Sequence, residues 1–155
     1  MRQATFGLAA MAMMLLTSTA ALAHCEVPCG IYDDEARFQM LSEHILTIEK
    51  AMGQIVTLSA DDKPNYNQIV RWVATKEKHA EAFQEIVSQY FLIQKIKPVS
   101  GEDKAQAAHY LGLLEDAHNL LVLAMKAKQS TDMTVVGQLR EQLAAFKAHY
   151  SAHTH

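Results

Sequence analysis

The nine residues His24-Cys25-Glu26-Val27-Pro28-Cys29-Gly30-Ile31-Tyr32 hold both cysteines of the 155-residue chain. They are its densest run of metal-binding atoms. With His24 at a chain terminus, its α-amine and the deprotonated amide of Cys25 would close one chelate ring on a metal ion. The same amide and the Cys25 thiolate would close a second ring fused to the first, which forces three donors into one plane. A turn at Pro28 and Gly30 brings Cys29 round as the fourth. A planar set of two nitrogens and two sulfurs selects nickel(II) or copper(II) over tetrahedral zinc. The His24 imidazole is then left above the plane as an axial ligand. An uncut chain would offer only an amide at His24, which is a poor donor.

Spacing alone leaves two other readings open. In an exported protein two cysteines most often pair as a disulfide, here across the C-x-x-x-C spacing. They also make half of a zinc site, but zinc would need two more good ligands, and the other histidines lie on helical segments without a second cysteine pair.

The first 23 residues, MRQATFGLAAMAMMLLTSTAALA, carry one charge, Arg2, then an apolar stretch from Phe6 to Leu16 and small residues at Ala21 and Ala23. This pattern predicts a signal peptide cut between Ala23 and His24. Thr17, Ser18 and Thr19 stop the apolar stretch well short of the ~20 residues a membrane span needs, so no membrane association is expected after cleavage. A lipoprotein would need cysteine where His24 stands, and no twin arginine is present. Export through the general secretory route to the periplasm or the outside is expected. The domain boundaries then fall at 1–23 for the leader and 24–155 for the mature domain, with a hook at 24–32 and a bundle over about 33–150.

Subtracting the leader and its Arg2 from 155 residues with 14 basic and 17 acidic side chains leaves 132 residues with a formal charge of −4. No Lys/Arg run makes a phosphate-binding stripe, so nucleic acid is not an expected partner. A chain of this length buries roughly two-thirds of its unfolded surface in one core, so the cysteines are not needed as a staple.

The elements that must carry the hook show helical periodicity almost throughout. Phe38, Leu41, Ile45, Ile48, Met52 and Ile55 recur at alternating spacings of three and four from an Asp33-Asp34 start. Asp61-Asp62-Lys63-Pro64 breaks that helix and starts a second, whose stripe includes Val70, Val73, Phe83, Ile86, Val87, Tyr90 and Phe91. Pro98-Val99-Ser100-Gly101 ends it. A third helix, from about Glu102 to Lys128, is apolar over a broad face of Leu111, Leu114, Leu121 and Met125, with Leu113, Leu120 and Leu123 beside them. Such a face is expected to meet more than one neighbour. After Ser130-Thr131-Asp132, the residues Val136, Leu139, Leu143, Phe146 and Tyr150 mark a fourth helix. Four helices and short loops predict an all-α, antiparallel up-down-up-down four-helix bundle. The surplus apolar surface of the third helix, and Trp72, are expected in its core. No fixed-period repeat, low-complexity tract or strand-like segment is evident.

At the hook the sequence resembles the nickel superoxide dismutases, whose mature chains begin H-C-x-x-P-C-G-x-Y. His24, Cys25, Pro28, Cys29, Gly30 and Tyr32 match that pattern. The likeness continues more loosely through Asp33, Arg37, Lys76-Glu77 and Tyr90-Phe91. The resemblance implies a four-helix bundle assembled as a homohexamer, with one nickel ion per subunit. It implies an antioxidant reaction, the disproportionation of superoxide to dioxygen and hydrogen peroxide by a Ni(II)/Ni(III) cycle. The ligands it implies are the His24 amine and imidazole, the Cys25 amide and thiolate, and the Cys29 thiolate. Two thiolates and an anionic amide donate enough charge to make Ni(III) accessible. Tyr32 would lie over the open face, admitting small anions and ordering water for proton delivery. Pro28, through a cis bond, and Gly30 would set the turn.

Two positions depart from what family members can carry. A glutamate on helix one that hydrogen-bonds the axial imidazole aligns with Gln39, and an arginine on helix two aligns with His79. Each change keeps a polar group and loses a fixed charge, which alters the tuning of the axial ligand and not the ligand set. His44, His109 and His118 are expected as solvated or hydrogen-bonded helix histidines. His149, His153 and His155 read as a frayed polar tail, with adventitious metal binding or help in nickel loading as the other reading. An exported nickel enzyme leaves room for a nickel-loading partner. The same hook without turnover would make an exported nickel or copper carrier, and a disulfide without metal would make a purely structural bundle.

Overall fold

The computed structural model describes residues 34–99 and 103–152. Helix α1 spans Asp34–Ser59, and α2 spans Tyr66–Glu85 and runs on without a break as a π-helical segment, Ile86–Lys95. Helix α3 spans Lys104–Gln129 and α4 spans Met133–Ser151. Each helix packs on its chain neighbours and α4 closes against α1. The result is the expected all-helical four-helix bundle, and there is no strand among the described residues. No described helix is long and apolar enough to cross a membrane.

Side chains define the helix ends. Asp34 and Glu35 occupy the first turn of α1, where the helix dipole favours negative charge. The start of α2 is displaced from the Pro64 that sequence suggested. Asn65 is the N-cap instead, its side chain accepting from the Gln68 amide at 3.2 Å, because an Asx side chain satisfies a free helix amide that proline cannot. Asp103 caps α3 by accepting from Ala105 and Gln106 at 2.8 and 3.2 Å. Asp132 caps α4 through Thr134 at 2.9 Å, and this backbone hydrogen bond holds its carboxyl below the usual range. The far end of α3 is closed by a side chain from another helix. Lys76 of α2 is 4% exposed, and its ammonium donates to the carbonyls of Ala127 at 3.0 Å, Lys128, and Ser130 at 3.1 Å. It thereby supplies donors that the last turn of any helix lacks. Glu77 lies 3.6 Å from the same ammonium and 3.8 Å from that of Lys128.

The core contains the stripes expected of α1 and α4: Phe38, Leu41, Ile45, Ile48 and Met52 face Val136, Leu139, Leu143 and Phe146. Ile55 is only half-buried, as α1 runs past the core. On α3 the stripe differs from the one chosen by side-chain size. Leu113, Ala117, Leu120, Ala124 and Ala127 are buried, whereas Leu111 is 61% and Met125 41% exposed. Leu114, Leu121 and Leu123 are half-buried against the core edge. Alanines share the inward face with Leu113 and Leu120 because they let neighbouring helices approach closely, which turns the stripe away from Leu111 and Met125. On α2 the inward side is Lys76, Ala80 and Phe83, which leaves Val70 65% and Val73 38% exposed. Trp72 is half-buried, with the Lys50 ammonium 6.0 Å from its ring.

Candidate functional site

His24, Cys25, Cys29 and Tyr32, together with Pro28, Gly30 and Asp33, lie outside the described residues. The described part begins at Asp34, on the first turn of α1, and shows how the bundle holds the point from which the chain runs to the hook. Asp34 Oδ1 accepts from the Tyr90 hydroxyl at 2.6 Å and stands 3.0 Å from the Lys95 ammonium, while Oδ2 accepts from the Tyr150 hydroxyl at 2.8 Å. Burial alone would raise this carboxyl, but the hydrogen bonds from Tyr90, Tyr150 and Lys95 outweigh it and hold the group below its ordinary value. Burial and the Asp34 charge push the Tyr90 and Tyr150 hydroxyls up. The Lys95 ammonium is also raised: its hydrogen bond to Asp34 overcomes the opposing effect of burial.

Below this cluster lies an aromatic box. The ring of Phe91 is 4.8 Å from Phe38, 5.2 Å from Phe146 and 5.4 Å from Tyr150, mostly edge to face, a geometry that adds to the stabilisation from burial. The Arg37 guanidinium sits 4.8 Å above the Tyr90 ring. Its Nε is buried without a hydrogen-bond partner among the described residues. A cavity of about 210 Å³ opens beside the cluster, lined among others by Lys95, Lys97, His109, Tyr110 and Tyr150. Of the residues beyond the hook that carried the family resemblance, Arg37, Tyr90 and Phe91 meet here, while Lys76 and Glu77 serve the α3 terminus.

Gln39 and His79 are not brought together. Gln39 lines a groove of about 630 Å³ between α1 and α4. His79 faces His44 across the α1/α2 contact, with their Nδ1 atoms 2.9 Å apart. Desolvation, reinforced by His79, lowers the pKa of His44. His118 is exposed, as expected. His149 is not part of a loose tail: it is held between Asp116 and His109. His153 and His155 lie outside the described residues. Among the described residues no three His, Cys, Asp or Glu side chains converge as a metal site.

The profile of the nickel-containing superoxide dismutases matches residues 19–154, covering the hook segment and the bundle together. The chain belongs to this family. At family level its metal is nickel, its substrate is superoxide and it is an oxidoreductase, a superoxide dismutase. No curated protein and no solved structure gave a match. The Asp34 cluster of this family member was not visible in its sequence, because Tyr90 and Tyr150 also fit the apolar stripes of their helices and count there as core. The mid-helix Gly112 beside the His149 ring is a local sign that α3 and α4 enclose an unusual group.

Proposed function

We propose that this chain is an exported nickel superoxide dismutase whose metal is held by the hook, one ion per subunit, after cleavage between Ala23 and His24. The observation that carries the reading is the family match across hook and bundle. The donor chemistry fits nickel: the two thiols of the chain, Cys25 and Cys29, lie beside an imidazole and an amide that becomes an anionic donor. When bound, nickel would supply one-electron redox chemistry between Ni(II) and Ni(III) for superoxide disproportionation. The His24 amine and imidazole, the Cys25 amide and thiolate, and the Cys29 thiolate would hold the ion. Pro28 and Gly30 would turn the chain. Tyr32 would cover the open face, where it would restrict access to small anions and order water for proton delivery.

The bundle's contribution is positional. Asp34, two residues beyond Tyr32, is fixed by three donors from α2's π segment and α4, so the hook would start from a rigid base. Arg37 and Lys97 put positive charge at that end, where Lys95 is already paired with Asp34, which supports attraction of an anionic substrate. The exposed apolar row Tyr66, Val70 and Val73 on α2 supports assembly of several copies into a homohexamer.

The substitution His24→Ala tests the ligand roles, because it keeps a terminal amine and removes only the axial imidazole. The variant is expected to retain nickel while activity per nickel atom falls at least tenfold, with loss of the axial nitrogen coupling in electron paramagnetic resonance. A fall in nickel content at unchanged activity per nickel would show that His24 only positions the hook. Nickel bound by the intact chain without turnover would instead make it a carrier.

A further inference from the structure

A second set of donor atoms joins α3 to α4. The Nδ1 of His149 donates to Asp116 Oδ2 at 2.9 Å, and the Nε2 of His149 lies 2.9 Å from the Nδ1 of His109. The other oxygen of Asp116 accepts from the Gln142 amide at 2.9 Å. In neutral His149, the Nδ1–H that donates to the carboxylate leaves the lone pair on Nε2, toward His109. Gly112 makes the space. A Cβ there would stand 2.5 Å from the Cε1 of His149. Glycine weakens a helix interior relative to alanine, and here it opens the slot that the ring occupies.

We propose that His109 and His149 form a second metal site, separate from the hook, for a divalent cation such as nickel(II). Moving the His109 proton from Nδ1 to its own Nε2 keeps both rings neutral and lets both lone pairs turn toward one ion, with water completing its coordination. Metal–imidazole bonds of about 2.0–2.1 Å at a right angle set the nitrogens about 2.9 Å apart, whereas tetrahedral coordination needs about 3.4 Å. The 2.9 Å hydrogen-bond separation already places the two nitrogens at the distance of adjacent positions on a square-planar or octahedral ion, and a small turn of the rings aims them at it. Asp116 is placed to orient the ring and raise its basicity, and Gln142 holds Asp116 in turn. Of the two lysines that line the neighbouring cavity, Lys95 and Lys97, the first is already paired with Asp34 at 3.0 Å. The other imidazole pair, His44 and His79, has the same spacing but no carboxylate hydrogen-bonded behind either ring among the described residues. It serves as an internal control.

His109 lines the cavity that also holds Tyr150, and Tyr150 donates to Asp34. The site thus sits at the end of the bundle from which the chain runs to the hook, where a weakly held ion could be stored for loading. That use rests on the reading of the hook given above, while the binding itself does not.

The test uses the full mature chain carrying His24→Ala, Cys25→Ser and Cys29→Ser, titrated with nickel(II) chloride by calorimetry. One equivalent is expected, with paramagnetic broadening of the His109 and His149 ring protons in the nuclear magnetic resonance spectrum. His109→Ala or His149→Ala should remove that equivalent, and Asp116→Asn should weaken binding about 10–100-fold. Gly112→Ala should also weaken it while the helical circular dichroism is kept. His44→Ala and the pair His153→Ala and His155→Ala should leave it unchanged. No nickel bound to the triple variant, or binding that survives His109→Ala with no broadening at either ring, would overturn the proposal. The hook reading fails separately, if the unmutated chain binds no more nickel than the triple variant.

Discussion

Asp34 draws two tyrosines and a lysine from distant parts of the chain onto one carboxylate, all within 3.0 Å. Because its folded pKa lies below the unfolded value of about 3.9, its contribution to stability is fully present above that pH. It is lost as pH falls through the folded value. Asp34→Asn should therefore lower stability at pH 7 by about 1–3 kcal/mol and make little difference in strong acid, as read by urea unfolding at both pH values. An equal loss at both would mean that the carboxylate charge is not what holds α1 in place. The proposed hook is a sequence reading of the opposite kind. Its candidate donors lie within a few consecutive residues, so their order along the chain tells which chelate rings are possible. The partners of Asp34 lie 56 and 116 positions away at Tyr90 and Tyr150, where only the fold brings them together.

The four helices were legible where large apolar residues keep a strict three-four spacing, as in α1 and α4. In α3 the inward face is built on Ala117, Ala124 and Ala127, and residue size pointed to the wrong stripe. Lys76 is the clearest case of an element completed by another, since its ammonium takes the place of the missing amides at the end of α3. Lys76→Met keeps the stem buried but leaves those carbonyls unpaired. It is expected to destabilise the bundle by about 2–3 kcal/mol and to speed hydrogen exchange in the last turn of α3. Unchanged stability would show that water satisfies those carbonyls equally well.

In the molecule as a whole, the bundle and the hook divide the work. Among the described residues the helices close the core with their own side chains, Phe38, Phe83, Phe91 and Phe146 among them, so Cys25→Ser and Cys29→Ser should each abolish superoxide disproportionation while the melting curve stays that of the parent. Unfolding of either variant would mean that the cysteines hold the fold, as a disulfide would. The central claim, that the terminal amine of His24 is itself a nickel ligand, is tested most directly by adding a single alanine before His24 in the otherwise mature chain. Nickel per subunit and superoxide disproportionation are then measured side by side for both forms. The account expects about one nickel and full activity in the chain that starts at His24, and neither in the extended one, because the amine is displaced from the chelate ring. Equal nickel and equal activity in the two forms would contradict it.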